Sequence, residues 1–389
     1  MEARCLKRIK AGSSDFDESV LVEILSKLPL KSIYRFRCVS TEWNALTRTS
    51  YFLDRHRLHS SRRLLLISSS SPADKKSAGV SLLADEEAAL SSLNIPFLPS
   101  DARWDIGVVG SSNGLVCCNK ILDGNVLATI VWNPATHQFD YNPLSPLVEE
   151  PENATDYPLI GFDFMHSSSV YKLVAVDLYG SDDPDDPLKV CFKAEVFTQD
   201  TPSWRVVEST LGLGSCKMCY TTVSITLNGV LYWLVEHTSN GFAVVSFRLH
   251  DEVFEDTCKA LPEEIRNVSD NRMLPLLFSW RNSLAVVGFD QSDNLVLWVD
   301  GTADQECDWI EQMRFKWPSL CEGRWLLLRG VWKDQFVFRK NGYEYGDHDN
   351  EPDNLFLFDP ITETLRKLHA ETDTCFKYAV GYAESNVQL

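Results

Sequence analysis

The sequence predicts a mainly β fold: a small N-terminal head of three short helices, then a β-propeller of six blades with a composite closing blade. Three observations predict it. Apolar residues recur at helical spacing near the N-terminus. From Arg62 onward the pattern changes to short β-rich runs broken by Gly, Asn and Asp. One unit of such runs then repeats five times.

The head comes first. Asp15 and Glu18 have the spacing of a capping box that opens a helix. Val20, Leu21, Ile24, Leu25 and Leu28 form one broad apolar stripe on it. Pro29 stops that helix, because its ring clashes with the preceding turn and it lacks an N–H. A second short helix carries Leu30, Ile33 and Phe36. Ser40 fits the N-cap of a third, which shows Trp43 and Leu46 on one face. So small a segment rarely builds a sufficient core alone, so its apolar surface is expected to meet either a partner or the rest of the chain.

The body is a repeat. A polar turn and an apolar strand recur at "SNGLVCC" (112–118), "SSSVYKLVAV" (167–176), "LNGVLYWLV" (227–235), "RNSLAVVGF" (281–289) and "WKDQFVFR" (332–339). A second strand then ends on an aromatic residue, followed by a turn and another apolar residue. These endings are Trp132 to Phe139, Phe197 to Trp204, Phe247 to Phe254, Trp298 to Trp309 and Phe358 to Leu365. The spacing is near the ~50-residue period of kelch blades, with insertions. Strand-rich repeats without helix signals indicate a propeller. A propeller must close its ring or leave open sheet edges. The leftover strands "RRLLLIS" (62–68), "GVSLLA" (79–84) and "CFKYAVGYAES" (375–385) are expected to form the composite blade.

Composition sets limits on function. The 389 residues are 44% hydrophobic and 24% charged, with a net charge of −18. Residues 1–63 carry 13 Lys and Arg against 7 Asp and Glu, so +6; the remainder is −24. A basic head on an acidic body suggests two surfaces with different partners. The acidic body argues against nucleic acid, which needs concentrated Lys and Arg. No apolar run reaches the ~20 residues of a membrane span, and no apolar core follows the basic N-terminus. Residues 1–14 read as a flexible basic tail. The eleven scattered cysteines indicate reduced thiols in the cytoplasm or nucleus. Cys216 and Cys219 form a lone CxxC without a second ligand pair, and Cys117 and Cys118 read as core.

Chemistry-bearing motifs are few. No P-loop, HExxH, nucleophile elbow or dinucleotide glycine fingerprint is present. His56 and His59 read as exposed side chains on a basic, helix-like stretch. "SDDPDDP" (181–187) and "GDHDNEPDN" (346–354) are carboxylate-rich, but the second lacks the sixth-position Gly of a calcium loop. No metal and no cofactor is expected. Asn153 and Asn267 sit in N-x-[ST] triplets that mean little without secretion.

The stretch "FDESVLVEILSKLPLKSIYRFRCVSTEW" (16–43) resembles an F-box, closest to the plant pattern, in Glu23-Ile24-Leu25, Leu28-Pro29, Lys31-Ser32, Arg35 to Ser40 and Trp43. The family's opening Leu-Pro is Phe16-Asp17 here. The body resembles the plant F-box-associated domain in "SSNGLVCC", "VWNPATHQF", "GFDF", "LNGVLYWL" and "AVGYAES". The resemblance implies a tail at 1–14, F-box helices over 15–59 and a kelch-like, substrate-binding propeller over 60–389. It implies a Skp-family adaptor, and through it a cullin, docked on Phe16, Leu21, Ile24, Leu25, Leu28, Pro29, Leu30, Ile33, Val39 and Trp43. It also implies a non-catalytic receptor that recruits a protein for ubiquitination, the alternative being a scaffold that binds or sequesters its partner. If the acidic loop with Asp182, Asp183, Asp185 and Asp186 rims the binding mouth, the target is expected to be basic.

Overall fold

The computed structural model describes residues 18–59, 62–68, 79–84, 91–98, 104–122, 125–149, 159–165, 168–180, 190–207, 216–218, 224–237, 241–255, 259–266, 275–292, 294–301, 309–316, 326–340, 355–368, 376–385, 387 and 389. Four helices form the head: α1 (Glu18–Ser26), α2 (Leu30–Arg37), α3 (Thr41–Leu46) and α4 (Ser50–His59). Pro29 sits at the N-cap of α2, where its φ of −58° suits the helix entrance and its missing N–H costs nothing. The Ser40 hydroxyl accepts from the Trp43 N–H at 3.1 Å and caps α3. Asp15, the expected cap of α1, lies outside the described residues. The fourth helix is a correction to the expected three. It exists because Phe52 supplies a fully buried side chain to the head's own core, beside Val22, Leu25, Ile33 and Leu46.

Six antiparallel sheets follow. Blade 1 holds β4 (Trp104–Ser112), β5 (Leu115–Leu122), β6 (Asn125–Asn133) and β7 (Gln138–Asn142), after β1 (Arg62–Ser68), β2 (Gly79–Leu83) and β3 (Ser91–Leu93). Blade 2 holds β8 (Leu159–Met165), β9 (Val170–Gly180), β10 (Val190–Thr198) and β11 (Thr201–Val207). Blade 3 is built from β12 (Cys216–Met218) and β13 (Ile225–Leu227), both paired with β14 (Val230–His237), then β15 (Gly241–Arg248), β16 (Val253–Phe254) and β17 (Lys259–Ala260). Blade 4 runs through β18 (Leu276–Trp280), β19 (Ser283–Phe289), β20 (Asn294–Asp300) and β21 (Trp309–Lys316). Blade 5 runs through β22 (Leu326–Trp332), β23 (Gln335–Lys340), β24 (Leu355–Asp359) and β25 (Thr364–Leu368). The sixth has the strand order β26-β1-β2-β3, where β26 is Phe376–Ala383, so both ends of the propeller meet in one sheet as expected.

The core lies between blades. Each of the six interfaces between neighbouring blades has its own buried cluster. Strand alternation feeds two of them at once: Cys117 faces the cluster shared with blade 2, and Cys118 the cluster shared with the closing blade. The first strands line a central channel, and hydroxyls tie them to one another around it. Ser111 donates to the Gly381 carbonyl at 3.0 Å, Ser224 to Val109 at 3.0 Å and Thr226 to Phe162 at 2.8 Å.

The expected strand endings pair as predicted in four blades: Trp132 opposite Phe139, Phe197 opposite Trp204, Phe247 opposite Phe254 and Phe358 opposite Leu365. Blade 4 differs. An irregularity after Leu297 puts Trp298 opposite Glu311, and Trp309 opposite Asp300. Trp132 and Trp233 are buried wedges, whereas Trp204 and Trp298 are only half-buried against their clusters.

Candidate functional site

The wide apolar stripe of α1 splits into two faces. Leu25, Leu30 and Ile33 turn inward and are at most 5% exposed. Leu25 and Ile33 belong to the head's own core and Leu30 is buried as well, so none of the three offers a surface to a partner. Leu21, Leu28 and Trp43 are half-buried against that core, with Trp43 edge-on to Phe36 at 5.3 Å. Ile24, Pro29 and Val39 face outward, with Ile24 53% and Val39 66% exposed. Val20, one turn before Ile24, joins this outward set, and so does Tyr51 of α4, which the sequence did not single out. Phe16 lies outside the described residues. The solvent side of α1 is otherwise polar, with Glu23 held to Lys27 at 2.8 Å.

His56 corrects an expectation. It is 4% exposed, stacked on Phe52, and its Nε2 lies 3.2 Å from the Leu28 carbonyl. A ring nitrogen that donates there joins α4 to the chain just before Pro29. His59 remains exposed. Burial, and secondarily the charge of His59, pushes the His56 pKa below its ordinary 6.5, although the Leu28 carbonyl works against the shift. The unfolded chain takes up this proton near pH 6.5, whereas the buried ring resists it. The stabilisation is therefore complete above that pH and is lost as pH falls below ~6.5 towards the depressed folded value. Urea midpoints should drop between about pH 7.5 and about pH 5.5 in the wild-type chain, and drop less in His56→Gln. Identical slopes for the two would contradict this.

The head is joined to one end of the ring. Leu53 of α4 packs on the cluster between blades 1 and 2, together with Val387 and Leu389. Leu53 and His56 line a small crevice with Asn113, Glu384 and Ser385. The Asn133 amide donates to the carbonyls of Ser385 and Val387, at 3.2 and 2.8 Å, and Arg63 pairs with Glu384 at 2.6 Å. Gly114 is required beneath this strap: its φ is +77°, and a Cβ there would lie 2.2 Å from that of Ser385.

The two ends of the propeller differ. The head end carries the tight turns between first and second strands, Asn113-Gly114, Asn228-Gly229, Arg281-Asn282 and Lys333-Asp334, all with positive φ. The opposite end carries the connections between second and third strands. Gly180 and Val190, and likewise Arg339 and Leu355, pair there, so both acidic stretches leave the ring at that end. Residues 181–187 and 346–354 themselves, with Asp182, Asp183, Asp185 and Asp186, lie outside the described residues, as do Cys219, Asn153 and Asn267.

Reactive groups are muted. Burial pushes the Cys118 thiol up to about 12 and raises Cys117 well above its usual value, so both stay protonated. Among the described residues, no three His, Cys, Asp or Glu side chains come together as a metal site, and no helix is long and apolar enough to cross a membrane.

Comparison with known families agrees with this arrangement. The model of the F-box associated beta propeller domain matches residues 74–343, well over half of the chain. The chain belongs to that family. The F-box domain model matches residues 13–55, over the helical head. One F-box protein of Arabidopsis thaliana is 28% identical over 267 residues, covering 66% of this chain and 68% of the relative. Another is 31% identical over 258 residues, covering 62% and 60%. The first three relatives are covered over 57%, 68% and 71% of their own lengths.

Proposed function

We propose that this chain is the substrate-recognition subunit of a Skp–cullin–F-box ubiquitin ligase. The observation that carries the reading is the polarity of the molecule. An F-box head with outward Ile24, Pro29 and Val39 is fastened at the tight-turn end of the ring, and the long connections leave from the other end. The head docks a Skp-family adaptor, and the loop-rich end holds a protein target. The receptor does no covalent chemistry. It raises the local concentration of target lysines near the conjugating enzyme, as tethering does. The acidic connections favour a target with a basic face, because charge complementarity speeds encounter and filters partners.

The test is affinity purification of the full chain from cells, with and without proteasome inhibition. The expected result is a Skp-family protein, a cullin, and a further protein that accumulates in ubiquitinated form under inhibition. Neutralising Asp182, Asp183, Asp185 and Asp186 together should slow association of that protein and leave adaptor capture unchanged. A captured partner whose abundance and ubiquitination ignore the chain would make this a sequestering scaffold instead.

A further inference from the structure

The central channel encloses about 340 Å³, at the lower end of the ~300–1,000 Å³ of ligand pockets. Its lining is unlike the rest of the protein. The chain carries a net charge of −18, yet among the described residues that line the channel the charged groups are Arg281, Arg329 and Lys333 against Asp334 alone. The walls add the hydroxyls of Ser279 and Tyr378, whereas those of Ser111 and Thr226 already donate to the Gly381 and Phe162 carbonyls.

Two of the cations occupy positions where the backbone disfavours them. The first-to-second-strand turns of blades 1 and 3 are Asn-Gly, the residues such turns prefer. In blades 4 and 5 the same turns are Arg281-Asn282 and Lys333-Asp334, with φ of 48° and 66°, and 50° and 60°. A long side chain in the left-handed region is a local cost that persists where something else requires the residue. Both turns follow a buried tryptophan, and each cation lies over its ring: Arg281 at 5.6 Å from Trp280, Lys333 at 4.6 Å from Trp332. Asp334 reaches across the blade boundary to Arg281 at 3.3 Å. Neighbouring blades thus present two cations, fixed by aromatic faces, at one rim of the channel. Arg329 stands on the same wall, four residues before Lys333 along the β22 strand and its turn.

We propose that the head-end mouth of this channel binds a small organic anion bearing two or more phosphate or carboxylate groups, held by Arg281, Arg329 and Lys333. Guanidinium and ammonium groups around hydroxyls match such oxygens. The channel volume suits a small molecule and not a folded segment. This site is at the end opposite the acidic connections, so its occupation does not compete with a target held there.

The test is calorimetric titration of the full chain with sodium pyrophosphate and, separately, with sodium citrate. Ionic strength is held constant, because salt screens charge. Saturable one-to-one binding of at least one probe is expected, with a melting temperature that rises with its concentration. Pyrophosphate alone would assign phosphate chemistry, and citrate alone carboxylate. Lys333→Gln and Arg329→Gln should each weaken binding by about tenfold or more, the loss expected of a charge-assisted hydrogen bond. Lys333 is exposed, so its variant keeps the fold. Asp334→Asn, which removes the competing carboxylate, should tighten binding. No saturable heat from either probe overturns the proposal, as does binding unchanged by Lys333→Gln and Arg329→Gln. A wild-type chain that takes up no anion, together with a Lys333→Gln chain that melts lower, would mean that these cations only staple blades 4 and 5.

Discussion

Deleting residues 375–389 should leave a chain that aggregates, or that melts lower by about 10 °C or more. The segment holds β26, the innermost strand of the closing blade to which the sequence assigned it. β26 pairs with β1 from Arg62 opposite Ala383 to Ser68 opposite Phe376. Without it, the backbone of β1 becomes an open edge beside Leu64, Leu65, Leu66 and Ile67, which are at most 1% exposed in the closed ring. The deletion also removes Tyr382 from the cluster with blade 1, Ala379 from the cluster with blade 5 and Val387 from the cluster beneath the head. Each large buried side chain contributes ~1.5–3 kcal/mol. The contacts of β26 with the inner strands of both neighbouring blades go too: the Ser111 hydroxyl loses its Gly381 acceptor, and the close approach of Gly330 to the Ala379 carbonyl disappears. Differential scanning calorimetry on the truncated and full chains measures the effect. A truncated chain that melts like the full one would mean that the ring does not depend on its last strand.

The ring was legible in the sequence because its signals are local. Trp132 and Phe139 are seven residues apart and face each other across one turn, and the same holds for Phe197 and Trp204. The closing blade was legible by elimination, since "RRLLLIS" and "CFKYAVGYAES" had no other partner. Blade 4 was misread because a local irregularity shifts register, which spacing alone does not reveal. The first strands of blades 1 to 5 were not among the repeated units, for another reason. Their contacts are with the inner strands of other blades, such as Ser111 with Gly381, 270 positions apart. The channel and its cations are therefore a product of closure and were invisible to any local pattern. In the head, helical spacing located the apolar stripe, but sidedness depends on α4, whose Phe52 and His56 decide which residues of α1 and α2 turn inward.

That sidedness sets the sharpest test of adaptor docking. Ile24→Asp should cut capture of a Skp-family adaptor by at least about thirtyfold, while the chain keeps its melting temperature. Ile24 is 53% exposed, so a carboxylate there stays solvated in the isolated chain and costs little. In a packed interface the same carboxylate is buried without a partner, and interface anchors of this kind are worth ~2 kcal/mol or more. Leu25→Asp provides the contrast. Leu25 is 2% exposed inside the head, beside Val22, Ile33, Leu46 and Phe52. A charge there should unfold the head, and amide hydrogen exchange over residues 18–59 should lose its protection, while the blades stay protected. Both variants lose the adaptor, but only the second loses the helices. Leu28→Asp falls between them, because Leu28 is half-buried against the same core and its carbonyl holds His56. Val39→Asp, at 66% exposure, tests the other edge of the outward set. Undiminished capture by Ile24→Asp with a folded head would remove α1 from the docking face. Unfolding of the head by Ile24→Asp would mean that the outward side of α1 is packed within the chain.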